Sequence, residues 1–351
     1  MLDTGAQSGG LVTPNQGLYL TRGMTAFELP QLAPVLAQIR AGLQPAVAVN
    51  PDRALFDRTA MVGLVTPLGA ILIGRMYTPG YEVFAAADAF EAGTAGSWGH
   101  IVGGAAGFTA VGADIRSPRS IQYRFALPSG LGGSLMYGGR NSGYLSRYNK
   151  FLGVALSYKA NGVDVGAAHN RGEDQNGDRS LATSTIGGSY AIGAFKLFAG
   201  YHDQVNRHSV LLADYAAVFN AQVGPALRAA GLPATSVSAL NNAFLATLTR
   251  NSQIDAASAQ LGMHYRIGAG RIMASVARQN DRSASDSDAT LAALVYDYNL
   301  SKRTDLYAVV CAIRNQNDGQ YTPGTANAPG GFTRAPGEDS RALQLGVRHR
   351  F

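Results

Sequence analysis

The chain has 351 residues, with 43 glycines, 46% hydrophobic side chains, 29 Lys and Arg against 23 Asp and Glu, and a formal charge of +6. No run of 18 apolar residues occurs, which excludes a membrane-spanning helix, and a single cysteine, Cys311, excludes an internal disulfide. The basic residues stand singly along strand-like runs and form no Lys/Arg block, so they fit a lined surface better than a nucleic-acid patch.

Met1–Ala6 has neither the basic nor the apolar region of a signal peptide and reads as the remnant of a strand. Beyond it the dominant signal is period-2 alternation in segments of about ten residues separated by turn residues, the pattern of a transmembrane β-barrel. Strands are expected at 18–27, 35–44, 56–65, 70–77, 120–127, 132–138, 151–159, 162–170, 181–190, 195–203, 258–267, 270–278, 288–299 and 303–314, with a last one at the C-terminus. In 35–44 Val35, Ala37, Ile39, Ala41 and Leu43 oppose Gln38, Arg40 and Gln44. Ile121, Tyr123, Phe125 and Leu127 oppose Gln122 and Arg124; Leu261, Met263, Tyr265 and Ile267 oppose Gln260, His264 and Arg266. At the end of the chain Leu343, Leu345 and Val347 alternate with Gln344, Arg348 and Arg350.

Connections alternate in length. Short ones such as 160–162, 192–193 and 268–270 contrast with long ones at 139–150, 171–180, 204–253, 279–287 and 315–339, as in a barrel inserted from one side of a membrane. Tyr158, Tyr190, Tyr265, Tyr296, Tyr298 and Phe351 fall at or near strand ends, where an aromatic girdle sits, although Tyr is also a good strand residue in its own right. The connection from 77 to 118 is far longer than a hairpin needs, a length associated with function. It is rich in Gly and Ala, and reads as a loop folded into the barrel mouth. Within 204–253, Leu211–Leu232 has helix-like apolar spacing, Gly231-Leu232-Pro233 is a stop signal, and Ser236–Thr249 reads as a second short helix. This segment is expected to be a partly helical extracellular excursion.

The residues resemble the general diffusion porins of Gram-negative outer membranes, particularly the β-proteobacterial branch. The resemblance rests on Leu55-Phe-Asp-Arg-Thr-Ala-Met-Val-Gly-Leu64, Gly74-Arg-Met-Tyr77, Arg116-Ser-Pro-Arg-Ser-Ile-Gln-Tyr123, Leu300-Ser-Lys-Arg-Thr-Asp-Leu-Tyr-Ala308 and Leu345-Gly-Val-Arg-His-Arg-Phe351. It covers nearly the whole chain as one domain, residues 1–351. It implies an all-β, 16-stranded antiparallel transmembrane barrel with an inward-folded third loop, assembled as a homotrimer. The family's first strand carries a Leu-Tyr-Gly-like element after a signal peptide, so the resemblance places the start of this chain inside strand one. Where the family usually has Asn at the third-loop exit, this chain has Arg119.

No zincin motif, P-loop or Gly-x-Ser-x-Gly elbow occurs, and the six histidines show no metal-ligand spacing. The reading is a channel with no catalysis, cofactor or metal. Cys311 alternates with Tyr307, Val309 and Ile313 and is expected to face lipid. The candidate pore constriction is Arg22, Arg40, Arg58, Arg75, Arg116, Arg119 and Arg124, opposed by Glu82, Asp88, Glu91 and Asp114. Arg40 and Arg124 lie on polar faces; the alternation leaves Arg22 open. Arg58 shares its parity with Ala60 and Val62, so its inward assignment follows the family pattern. Arg75 shares its parity with Ile71 and Ile73 and needs a bulge at Gly74 to turn inward. An arginine facing lipid at mid-height costs roughly 2–4 kcal/mol, which favours the lumen. The expectation is an outer-membrane porin passing small hydrophilic solutes and ions, with anions preferred. A substrate-specific channel and an outer-membrane barrel enzyme are the alternatives.

Overall fold

The computed structural model describes residues 2–3, 34, 59–102, 115–142, 148–208, 211–323, 333 and 335–350. Among the described residues, fourteen antiparallel strands form one sheet in chain order, each hydrogen-bonded to the next. They are β1 (Leu2–Asp3), β2 (Thr59–Thr66), β3 (Gly69–Tyr77), β4 (Arg116–Ala126), β5 (Leu131–Gly138), β6 (Lys150–Ala160) and β7 (Val163–Glu173). The second half comprises β8 (Arg179–Ile192), β9 (Phe195–Asn206), β10 (Ile254–Ile267), β11 (Gly270–Asp281), β12 (Ala289–Asn299), β13 (Thr304–Asn315) and β14 (Ser340–His349). The strands expected at 18–27 and 35–44 lie outside the described residues, as do Arg22, Arg40, Arg58 and Asp114.

Turn chemistry sorts the connections. At one edge the links 67–68, 127–130, 161–162, 193–194, 268–269 and 300–303 are tight. Asn161 (φ 54°) and Gly162 (φ 80°) supply the two positive φ angles of a primed hairpin turn, whose twist matches the strands it joins. Among the described strands, the long connections after β3, β5, β7, β9, β11 and β13 leave from the opposite edge.

Side-chain alternation gives the two faces different chemistry. On the convex face of β14 Leu343, Leu345 and Val347 are 69, 72 and 67% exposed, and Val62 and Leu64 of β2 are 72 and 65% exposed. A continuous wall of exposed aliphatic side chains is untenable in water and natural in lipid. Tyr123, Tyr158, Tyr190, Tyr296 and Tyr298 are also exposed and stand near the short-turn edge, where a girdle meets the membrane interface. The concave positions are closed off instead: Gln122, Gln260, Gln204 and Gln279 are buried.

Two expectations are corrected or refined here. Cys311 does not face lipid: with Val309 and Ile313 it is buried on the concave face, and its thiol lies against the Ala95 and Ala342 carbonyls. Apolar alternation alone could not assign the side, because the wall of β11–β13 is apolar on both faces. The register of β3 against β4 shifts between Gly74 and Met76. However, β2 and β3 pair without a break, which keeps Arg75 on the convex face with Ile71 and Ile73 and corrects its expected inward turn. Gly74 faces Ser120 and Met76 faces Ser117, which puts the additional residue in β4. Arg119 takes the left-handed conformation there (φ 52°).

Between β9 and β10 the expected helices form as α2 (Leu211–Val218), a π turn (Phe219–Val223), α3 (Gly224–Ala229) and α4 (Ala234–Ser252). Pro225 has no N–H to return to residue 221, and the widened turn sits just before it. The Leu232 amide reaches the Leu227 carbonyl at 3.1 Å around Gly231 (φ 87°), the 6→1 bond of a Schellman cap. Tyr215, Phe219, Val223, Leu227, Val237, Phe244 and Leu248 are buried in this excursion, giving it a small core.

Candidate functional site

The long connection after β3 begins with a helix that the sequence reading did not anticipate, α1 (Pro79–Ala87). Its signals were present: Thr78 caps it by accepting the Tyr81 amide at 3.2 Å, and Pro79 opens the first turn. Asn170 of β7 ties this end to the wall, accepting the Gly80 amide at 3.3 Å and donating to Thr78 Oγ1 at 3.3 Å. The helix packs against the concave sides of β5 to β9.

Asp88 ends the helix and organises the turn that follows. Its carboxylate accepts the amides of Phe90 (3.0 Å), Ala92 (3.1 Å) and Trp98 (3.4 Å), the Ser97 hydroxyl (2.6 Å) and Gln260 Nε2 of β10 (3.4 Å). Burial nonetheless holds its pKa above the ordinary carboxylate range. Asp88 is fully buried, so its role in this structure is to shape the loop. Glu91 and Ala92 follow in the left-handed conformation (φ 56° and 51°), a geometry sustained by the bonds on either side.

The far half of the loop crosses to the opposite wall. Phe84 stacks on Trp98 with ring centres 4.3 Å apart, and His202 of β9 meets Phe84 edge-on at 5.5 Å. Phe90, Ala95, Trp98, Ile101 and Val102 bury themselves with Met273, Leu291, Val295, Val309, Cys311 and Ile313 of β11–β13. The Ala95 amide donates to Gln344 Oε1 of β14 at 2.9 Å. One segment thus touches walls from β5 round to β14, which requires the sheet to curve around it. The wall is thinned to admit it: a Cβ on Gly200 would lie 2.6 Å from the Trp98 ring, and one on Gly262 would lie 2.4 Å from Ala89 Cβ.

Charges gather nearer the short-turn edge. Arg124 of β4 pairs with Glu82 of α1. Arg271 holds Glu91 at 2.6 Å and Asp297 at 3.1 Å; Arg348 holds Asp297 at 3.3 Å and Asp305 at 2.9 Å. Lys159 and Asp164 pair at 2.7 Å. Lys196 lies over the Phe198 ring, and Arg266 donates to the Gly193 carbonyl; neither has a carboxylate partner among the described residues. Burial raises the Glu82 pKa and Arg124 only partly offsets it, whereas Arg271 outweighs burial at Glu91 and lowers its pKa.

Of the residues predicted from sequence, Arg124, Glu82 and Glu91 come together with the wall as charged groups. Arg116 sits over the Tyr77 ring at 4.9 Å, Arg119 lies in the β4 bulge, and Arg75 stands on the convex face, away from the concave wall. The reading missed Lys159, Lys196, Arg271 and Asp297. It had placed Arg266, Arg348 and Arg350 on polar faces, and the same alternation rule would have found the others.

The model of the Gram-negative porin family matches residues 32–318. Among solved structures, the anion-selective porin from Comamonas acidovorans aligns with a TM-score of 0.62 at 20% identity, covering 86% of this chain and 80% of that one. OmpT, an outer membrane protein of Vibrio cholerae, aligns at 0.52 and 15% identity, covering 82% and 78%. Its trimer form gives 0.50 at 14% identity, covering 82% and 79%. No curated protein matches the sequence significantly. The family match, the lipid-facing wall and the sorted loops lead to one conclusion: this chain belongs to the Gram-negative porins and forms an outer-membrane diffusion channel for small hydrophilic solutes.

Proposed function

We propose that this porin prefers anions and that residues 77–118 narrow its pore. The carrying observation is the charge on the concave positions near the short-turn edge. Arg124, Lys159, Lys196, Arg266, Arg271, Arg348 and Arg350 stand against Asp164, Asp297 and Asp305, with Glu82 and Glu91 reaching in from the loop. Among the described residues at this edge, seven positive charges stand against five acids. At physiological salt the screening length is about 8 Å, so wall charge acts across a narrowed opening. The anion-selective porin from Comamonas acidovorans shares the fold, in keeping with this preference.

The chain functions as a homotrimer of closed sixteen-stranded barrels, with 204–253 as a structured extracellular excursion. The trimer form of the Vibrio cholerae protein supports that assembly by analogy of fold. Single-channel recording in planar bilayers tests the charge preference. Replacing chloride by acetate should lower conductance more than replacing potassium by lithium. The reverse order would refute an anion preference.

A further inference from the structure

Among the described residues, five glycines of the concave wall lie directly under the loop that follows β3. Gly153 of β6, Gly166 of β7, Gly187 of β8, Gly200 of β9 and Gly262 of β10 all sit inside strands. None of the five has a positive φ, so no turn or bulge explains them. Glycine weakens a strand interior and is found there where another backbone approaches closely. Gly166, Gly187 and Gly200 are register partners across three neighbouring strands. Gly153 lies four residues from Ser157, the other partner of Gly166, towards the long-loop edge. Gly262 lies two residues from Gln260, the other partner of Gly200, towards the short-turn edge. The five form a diagonal track.

The loop follows the same diagonal. Pro79, Val83 and Ala87 are spaced four residues apart, which puts them on one face of α1. A Cβ on Gly153 would lie 2.8 Å from Pro79 Cδ, one on Gly166 3.1 Å from Val83 Cγ2, and one on Gly187 2.8 Å from Ala87 Cβ. On Gly200 it would lie 2.6 Å from the Trp98 ring and 3.1 Å from Ala87 Cβ, and on Gly262 2.4 Å from Ala89 Cβ. Carbon atoms rest about 3.5–4.0 Å apart, so a methyl on Gly262 demands a displacement of about 1 Å or more. The wall resists it, because β10 is hydrogen-bonded to β9 and β11 along its length. The loop atoms in contact are two alanine Cβ atoms and an indole ring, none of them the end of a flexible chain that could step aside. The loop therefore rises into the lumen.

We propose that these five glycines are positioning residues of the constriction: their bare backbone sets how deeply the loop is seated, and that depth sets the width of the passage. This rests on the reading that residues 77–118 narrow the pore. The expected sign is opposite to that of lost apolar contacts, which free the loop and widen the channel.

The test is the single-channel conductance of the whole protein in a planar bilayer, with the width read from the smallest polyethylene glycol that fails to enter and lower the current. Gly262→Ala should lower the conductance and exclude a smaller polymer than the wild type does. Adding Ala89→Gly to it removes the nearest atom and should restore both. Gly200→Ala is a second probe, because the three atoms nearest its methyl all belong to the loop. It should narrow the channel in the same way. Wild-type conductance and polymer cut-off in both glycine variants would overturn the seat. Wider, noisier channels would overturn it too, since the loop would then be dislodged and not raised. So would a Gly262→Ala, Ala89→Gly channel as narrow as Gly262→Ala alone. Deleting residues 85–107 separates the two claims. A deletion that widens the channel while the glycine variants match the wild type removes the seat alone; a deletion with wild-type conductance removes the narrowing itself, and the seat with it.

Discussion

Two stretches of the same concave wall behave in opposite ways. Along β11–β13, away from the short turns, the wall presents Met273, Leu291, Val295, Val309 and Ile313, and the loop covers them with Phe90, Trp98 and Ile101. Nearer the short turns the same strands present Arg271, Asp297 and Asp305, and the loop meets them with Glu91 alone. The apolar stretch fixes the loop in position; the charged stretch is the part proposed to line the path of the solutes. A loop held only by ion pairs would be weakly held, because exposed pairs contribute about 1 kcal/mol or less. Burying aromatic side chains contributes several times that each.

The largest break in this comparison is Trp98→Ala. Emptying a fully buried tryptophan site costs about 3–5 kcal/mol. The expected outcome is a loop that leaves the wall for part of the time, seen as noisier and larger single-channel conductance. Cys311, the single cysteine, lies under Ala95 and reports on the same event. A hydrophilic maleimide should label it slowly in the wild type and at least roughly tenfold faster in Trp98→Ala, since 1.4 kcal/mol is a factor of ten. Unchanged labelling in a folded variant would show that the apolar contact does not hold the loop.

Asp88→Ala should act in the same direction with a smaller effect. It leaves three amides and the Ser97 hydroxyl short of an acceptor inside the loop, and each buried group left unpaired costs about 1–3 kcal/mol, partly recovered by relaxation. Maleimide labelling of Cys311 should fall between the wild type and Trp98→Ala. Labelling at the wild-type rate would mean that the apolar contacts suffice without the turn.

These residues also mark how far the sequence could be read. The strand runs, the edge that collects long loops and the paired helices of 204–253 were legible because alternation, turn residues and helix stop signals are local. The apolar inner wall was not. In a barrel the rule is polar inside, and Val309, Cys311 and Ile313 obeyed alternation while facing the side the rule reserves for polar groups. What decides their side is a partner 216 residues before Cys311 in the chain, Ala95, which no local period encodes. Asp88 shows the same limit: its acidity suggested a pore charge, and its burial against loop amides depends on the fold of the loop itself. Arg124 was legible because it sits on a strand with clean alternation.

A smaller effect comes from pH. Glu82 has a raised pKa, so acidification neutralises it before an ordinary glutamate, while Glu91, with a lowered pKa, stays charged further down. Losing the Glu82 charge leaves Arg124 unopposed, so anion preference should rise as pH falls from neutral toward the ordinary glutamate range. Glu82→Gln should show the raised preference already at pH 7 and lack that step. A preference that falls with acidification, or a variant with the wild-type step, would contradict the assignment.

The proposed anion preference rests on the unpaired and majority positive charge of the charged stretch of the wall. The most direct measurement is the reversal potential in a KCl gradient across a planar bilayer, for the wild type and for the Lys196→Gln, Arg266→Gln double variant. The wild type should give a potential of the sign that favours chloride, shrinking towards 1 M salt as the screening length drops to about 3 Å. In the double variant it should move clearly towards zero. A wild-type potential that favours potassium, or a double variant as chloride-selective as the wild type, would contradict it.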